Sequence, residues 1–396
     1  MFKIRTNLLL KVLIAIFLGI LLSHFLITPF VRCFVTINAL FTNFLNFMIP
    51  LLILGLVTPG IAELGKNAGK LLIITVLIAY GSTLFAGFFS YFTTSYALPF
   101  FIDKSHALPD LNTLQADSIA PYFSIDLPPI MAVTSALALA FVIGMGLSLI
   151  DSHVSKNLLL EFRALITAII QKAIIPILPL YIFGVFLKIT KEGQVFLILG
   201  IFFKVILLIF VMHLVLLLLQ YLAAGLIARQ NPFKALKNML PAYMTALGTQ
   251  SSAATIPVTL AQTKKNNVDP EIADFVVPLC ATIHLAGSIL KIVACAYVIM
   301  WIMKMPTGLD LYSGFIFMLG IIMVAAPGVP GGAIMASLGI LQSMLGFNQT
   351  LIGLMIALYI TMDSFGTACN VTGDGAIALV INKIYAAKHR RAPTLD

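Results

Sequence analysis

Charge is what this chain lacks most. Only 10% of its 396 residues are Asp, Glu, Lys or Arg, against about 25% in a soluble globular domain. So few charges cannot clothe a water-facing surface, which excludes an ordinary soluble enzyme or binding module. Cysteine is scarce too. Cys33, Cys280, Cys295 and Cys369 are scattered through apolar segments, which excludes a disulfide framework and a thiolate metal site. Acids are few, 15 against 24 Lys and Arg, for a net charge of +9. That excess is no nucleic-acid footprint, because the basic residues gather at the ends of apolar runs. Apolar side chains fill the rest: 60% of the chain is hydrophobic and the mean hydropathy is +1.06.

Runs such as LLLKVLIAIFLGILLSHFLI and VFLILGIFFKVILLIFVMHLVLLLLQYLAAGLI are long enough to cross about 30 Å of hydrocarbon. The first of them is expected to persist as a span and not as a cleaved signal, because no small-x-small site follows it and many spans do. Eight spans are expected at about 8–29, 39–60, 70–98, 130–150, 160–189, 195–228, 275–303 and 349–385. With the N-terminus inside, only Arg32, Lys104, Lys188, Lys191 and Lys304 fall on the outer face, and the remaining loop Lys and Arg gather on the inner face. That bias predicts a multi-pass protein of the plasma or inner membrane with both termini cytoplasmic. The stretch at 99–129, with Asp103, Asp110, Asp117 and Asp126 and several prolines, reads as an irregular outer loop without chemistry. The chain changes character near Asn231. Residues 1–230 are expected to form mainly a scaffold, with some spans joining the moving part. Residues 231–388 are expected to form the working core, and 389–396 a cytoplasmic tail.

Two segments after Asn231 are apolar but interrupted. MLPAYMTALGTQSSAATIPVTLAQTKK carries Thr249, Gln250, Ser251 and Ser252 between short arms, and GFIFMLGIIMVAAPGVPGGAIMASLGILQSMLG carries Pro327-Gly328-Val329-Pro330-Gly331-Gly332. Unpaired backbone is tolerated at membrane depth only where protein or a water-filled cavity covers it. Each segment is therefore expected to be a re-entrant helical hairpin. Each is followed by one polar-studded span, and such paired interruptions point to a transporter's binding site.

The last span holds MDSFGTACNVTGD, residues 362–374. On a helix Asp363, Thr367, Asn370 and Asp374 share one face, at about 100° per residue. Intramembrane acids mark a site or pathway by default. The two carboxylates stand about 16 Å apart along the axis at 1.5 Å per residue, which disfavours the touching pair of an aspartyl hydrolase. Two carboxylates at two depths suit two cations, such as a substrate ammonium and a metal ion. Asn370 and Asp374 are i, i+4 neighbours whose oxygens can converge on a hard cation such as sodium. A passive channel is the other rival, but it needs an open polar pore.

Four motifs now carry a resemblance. TQSSAATIPVT, PLCATIHLAGS, APGVPGGAIM and DSFGTACNVTGD, in that order, resemble the dicarboxylate/amino acid:cation symporter family, which includes glutamate and neutral amino acid carriers. The resemblance implies an all-α polytopic fold of eight spans plus two re-entrant hairpins built as inverted repeats. It also implies a homotrimer, trimerised through the scaffold, with an elevator-like transport domain. No catalytic activity and no resident cofactor are implied, only a co-transported Na⁺ or H⁺. It further implies that Asp363 holds the substrate ammonium and that Thr367 and Asn370 lie near the substrate. Ser251 and Ser252 would meet its carboxylate, and Gly328, Val329, Pro330 and Gly331 would form the gate. Asp374 with Asn370 and seventh-span backbone would hold one sodium ion, and Thr282 and Leu285 would line a second sodium site.

The departures from the family pattern bear on substrate and coupling. Many acidic-substrate members carry arginine where this chain has Gly366, and some members carry it where this chain has Gln250. No guanidinium is then left for a side-chain carboxylate, whose unpaired burial is costly. A small neutral amino acid is therefore expected, with acidic amino acids or dicarboxylates as the alternative. Gly366→Arg would be expected to shift preference toward acids. The family's seventh-span aspartate, a ligand of a further sodium site, is Ala286 here. His284 and Lys291 are unusual in that span. His284 reads as a satisfied polar contact or a proton-coupling group, and Lys291 as a snorkelling side chain or a fixed charge replacing a bound ion. The two would share a face only on a regular helix.

Overall fold

A computed structural model describes residues 8–63, 70–101, 119–150, 153–193 and 195–389. Among them every regular element is helical. Five helices or helix runs are long and apolar enough to cross a membrane, and six if one bent pair counts as a span. The chain is thus a multi-pass helical protein. The expected cytoplasmic tail, apart from His389, lies outside the described residues, as do Asp103, Asp110 and Asp117 of the outer loop.

The N-terminal half supplies long helices: α1 (Leu8–Ser23), α2 (Thr28–Glu63), α3 (Lys70–Phe101) and α4 (Val133–Leu149). It continues with α5 (His153–Ile169), α6 (Ile175–Lys191) and α7 (Val195–Ala228). A π-turn at Ile170–Ile174 joins α5 to α6 into one run. The expected first span ends early, at Ser23, and α2 begins at Thr28 instead of near residue 39. Polar side chains had hidden that helix start. Arg32 Nε donates to Ala120 O (3.0 Å) and Asn38 Nδ2 to Tyr181 O (3.0 Å), so internal partners replace water. Lys191 Nζ likewise donates to Ser23 O and Leu26 O, taking up carbonyls that the end of α1 leaves free.

The C-terminal half is built from broken helices. The first interrupted segment forms α8 (Pro232–Asn238), α9 (Leu240–Thr249) and α10 (Ser252–Lys265). Gln250 takes the left-handed conformation (φ 53°) that ends α9, and Ser251 caps α10 through its side chain. The expected seventh span is two helices, α11 (Pro270–Ile283) and α12 (Ala286–Ile302). The second interrupted segment forms α13 (Leu309–Ala325) and α14 (Gly332–Leu345). Gly331, at φ 72°, turns the chain between them, a backbone angle that glycine adopts without steric cost. The expected continuous span at 349–385 is instead α15 (Gln349–Thr361) and α16 (Asp363–His389), bent by 60°. Asp363 thereby opens a helix, where the macrodipole favours a carboxylate.

These broken elements are the centre of the molecule. All of α12 but Trp301 is buried, and so is α15 from Leu351 to Ile360. α3 packs on α12 and α13, while α7 and α9 pack on α16; α2 packs on α4, and α1 on α6. Large apolar residues such as Phe17, Leu77, Phe85 and Phe203 remain exposed on the outer helices, as a lipid-facing surface requires. Tyr91, Tyr297 and Tyr312 join α3, α12 and α13, with ring centroids 5.1–5.5 Å apart.

The crossing of α12 over α16 depends on Gly287. A Cβ there would lie 2.6 Å from Gly366 O and 2.7 Å from Cys369 Cβ, and neither helix backbone can step aside. Gly287→Val is expected to destabilise the fold by about 1–3 kcal/mol through overpacking, seen as a lower melting temperature in detergent. Gly81→Ala serves as the control, since an added Cβ there meets nothing within 4 Å. Equal melting of the two variants would contradict this account of the crossing.

Candidate functional site

The break between α11 and α12 is held open by a side chain from another helix. Asn370 Oδ1, on α16, accepts from Gly287 N (2.8 Å) and Ser288 N (3.2 Å). These amides open α12 and have no partner within it, so Asn370 caps the helix from across the site. Its Nδ2 donates to Ser288 Oγ (3.1 Å), which also accepts from Tyr359 Oη (3.3 Å). The oxygens of Asn370 and Asp374, expected to converge on one cation, are turned to different partners here. The Asn370 oxygen faces the α12 start and is occupied there. Thr282, half-buried, turns its hydroxyl to Leu279 O (2.8 Å).

Asp363 has a cation already. Lys291 Nζ donates to Oδ1 at 2.7 Å, and Gly331 N donates to Oδ2 at 2.8 Å. Lys291 is fully buried and its ammonium lies 3.5 Å from the centre of the Tyr359 ring, within cation–π range. The snorkelling reading of Lys291 is therefore overturned, and a fixed internal charge is what the residue supplies. Gly366 owes its identity to the same lysine. A Cβ at 366 would lie 2.8 Å from both Lys291 Cε and Nζ. An arginine at 366 would have to displace the Lys291 side chain before it could reach a substrate.

Asp374 meets a base as well. His284 Nδ1 lies 2.9 Å from Asp374 Oδ1 and His284 Nε2 lies 3.1 Å from Ser82 Oγ. Gln220 Nε2 donates to Ser82 Oγ at 3.0 Å. A carboxylate accepts, so Nδ1 carries a proton, and Ser82, accepting from Gln220, is free to donate to Nε2. The chain Gln220, Ser82, His284, Asp374 is then satisfied with the imidazole neutral. Asp374 Oδ2, Gln220 Oε1 and the Thr372 hydroxyl are buried without a partner among the described residues. His284 and Lys291 do not share a face, because the break at 284–285 separates them and each goes to its own carboxylate.

The four interrupted regions meet at one small cavity. It is lined by Gln250 and Ser252 of the first hairpin, Pro327, Gly328, Val329 and Ala333 of the second, Leu285 and Ser288 at the break, Tyr359, and Asp363, Thr367 and Asn370 of α16. Its volume is about 20 Å³. Ser251 Oγ donates to Gly328 O (2.9 Å), joining the hairpin tips, and Gln250 Nε2 donates to Ser364 Oγ (2.8 Å). Ser251, Ala286, Pro330, Gly331 and Gly366 are not among the residues that line it. A larger cavity of about 400 Å³ lies elsewhere, between α2, α6 and the start of α15, and touches none of the expected site residues.

Sequence reading missed the contribution of the N-terminal half. His213 Nε2 bonds Gly287 O (2.9 Å), Tyr221 Oη bonds Thr372 O (2.8 Å), and Ser90 Oγ bonds Leu290 O (2.6 Å). With Ser82 and Gln220, these residues place α3 and α7 around the site. A signal was present: His213 and Gln220 interrupt a long apolar run, where a polar group needs a reason.

A multi-pass helical protein whose polar residues converge where several helices break is built as a membrane carrier builds its site. A family model described as the sodium:dicarboxylate symporter family matches residues 8–384. The chain belongs to that family. It is 28% identical to the serine/threonine transporter SstT of Acinetobacter baumannii, over 93% of this chain and 95% of that protein. It is 34% identical to excitatory amino acid transporter 3 of Mus musculus, over 40% of this chain and 30% of that protein. A putative sodium-dependent excitatory amino acid transporter of Caenorhabditis elegans is 32% identical, over 40% and 32% of the respective chains. The matched segment thus spans about a third of these animal relatives.

The far end of a lysine usually swings aside, but Lys291 is buried and tied to Asp363. Gly366→Ala is therefore expected to stretch that ion pair and cost about 1–3 kcal/mol, lowering the melting temperature. Gly366→Arg is expected to yield a poorly folded protein. A well-folded Gly366→Arg variant that prefers aspartate over serine in competition uptake would contradict this reading.

Proposed function

We propose that the protein is a secondary active symporter that couples an inward Na⁺ or H⁺ gradient to uptake of a small neutral amino acid of the serine, threonine or alanine kind. One observation carries the reading. Both hairpin tips, the α11–α12 break and the polar face of α16 close on a single cavity. That cavity is about 20 Å³, room for about one water. Admission of an amino acid therefore requires a hairpin tip to move, and the Pro327–Gly331 turn is the proposed gate. The serine/threonine transporter name of the relative aligned over nearly its whole length points the same way.

Neutral solutes fit better than acidic ones. Gly366 and Gln250 offer no guanidinium, and the Lys291 charge is already spent on Asp363. Sodium is a reasonable driving ion near Asp374, because Asp374 Oδ2 and Gln220 Oε1 are unpartnered oxygen acceptors there, the donor type that hard cations take. Leu285 and Thr282 backbone remain candidates for a second ion. The proposed assembly is a homotrimer in the plasma or inner membrane with cytoplasmic termini, working as an elevator of eight spans and two re-entrant hairpins. In it, α3 and α7 travel with residues 231–388, and the rest of 1–230 forms the scaffold.

Uptake and counterflow in proteoliposomes test this. Serine or alanine is expected to exchange faster than aspartate, and Asp363→Asn is expected to abolish uptake in a folded protein. Asp374→Asn is expected to weaken apparent substrate affinity in sodium by about 5- to 150-fold, the usual range of linked binding. Equal wild-type affinity in sodium and choline would remove sodium coupling and leave the proton gradient as the driver.

A further inference from the structure

The Asp363 carboxylate is closed off on both oxygens, by Lys291 Nζ on Oδ1 and by Gly331 N on Oδ2. Gly331 is the left-handed turn residue that starts α14, and its neighbours are pinned by Val329 N to Pro327 O (2.8 Å) and Gly332 N to Val329 O (2.9 Å). The second hairpin is therefore fastened to α16 through one acid, and that acid is neutralised by a side chain of α12. An anion buried at this depth without a cation is costly, and it would draw in water or release its other contacts. A covalently attached ammonium removes that cost whether or not a solute is present. Nothing else in the site explains a fully buried lysine whose ammonium is stacked on Tyr359 and whose space is secured by the missing side chain of Gly366.

We propose that Lys291 is a tethered cation standing in for a diffusible one at Asp363, so that the second hairpin closes over the site when no solute is bound. A carrier that closes empty can return across the membrane without a bound cation at this position. Under the amino acid reading above, on which this second consequence rests, the solute ammonium competes with Lys291 for Oδ1. The lysine then sets how tightly the ammonium is held.

Hydrogen–deuterium exchange of the full-length protein in nanodiscs, read on the peptide spanning residues 327–332, tests the closure directly. In solute-free wild type, the Gly331 amide is expected to be protected equally in sodium and in choline. Lys291→Met is expected to speed its exchange by at least about tenfold through local opening. Lys291→Met/Asp363→Asn, which removes both charges, is expected to restore protection, because a pair replaced together leaves no unpaired ion. Added serine is expected to re-protect Lys291→Met, and in flux assays that variant is expected to keep counterflow while losing net uptake. Wild-type-like protection in Lys291→Met overturns the proposal, as does sodium-dependent protection in wild type. Persistent opening in the double variant also overturns it, because the lysine would then act by packing and not by charge. If the closure results hold but no amino acid re-protects the variant or is exchanged by wild type, the tethered cation stands and the amino acid assignment falls.

Discussion

A carboxylate buried among helices that face hydrocarbon has to find its partners within the protein, and Asp363 and Asp374 impose that demand on the helices around the cavity. Desolvating an ion costs several kcal/mol even after relaxation, and removing one partner of a buried pair costs about 3–5 kcal/mol. The structure meets the demand on α16 with the Lys291 ammonium on Asp363 and a His284 hydrogen bond on Asp374. Both bases come from α12 and the break before it and both acids from α16, so the two elements are held in register. The small residues follow from this arrangement. Gly366 makes room for the lysine, Gly373 for His284 and Gln220, and Gly287 for the α16 backbone.

The breaks in the helices are maintained by the same logic. An interrupted helix leaves amides and carbonyls without partners of its own, and amides at two of the starts here have a named acceptor. Asn370 takes the amides at the start of α12 and Asp363 takes the Gly331 amide, while His213 adds a contact to the Gly287 carbonyl. Asn370, expected as an ion ligand, accepts from the backbone here. The hydrogen bonds that keep the cavity walls in place also bring the hairpin tips together, through Ser251 and Gly328. A site assembled from helix ends can open by releasing a few such bonds, whereas unwinding a continuous helix would break many more.

Much of this was legible in order along the chain. Apolar run lengths marked the long helices, and Pro-Gly and Ser-rich interruptions marked the paired hairpins. Helical spacing put Asp363, Thr367, Asn370 and Asp374 on one face of what is indeed a continuous helix from residue 363 onward. Boundaries were less legible where polar side chains sit early in a helix, as with Arg32 and Asn38 in α2. The bend at Met362 was invisible because the flanking apolar pattern runs through it.

The sequence by itself determined the solvent, the helical class and the interrupted elements, because length, hydropathy and backbone breakers are local properties. Tertiary structure alone decided who pairs with whom. Whether Lys291 snorkels or neutralises an acid depends on where Asp363 lies, 72 residues away along the chain. Whether Gly366 is an open seat for a side chain or the floor beneath a lysine depends on how α12 crosses α16. The placing of His213, Gln220 and Ser82 around the site depends on α3 and α7 packing against helices far along the chain. Charge pairing and steric fit act through space, over distances of a few ångströms, and the order of residues along a chain does not contain those distances.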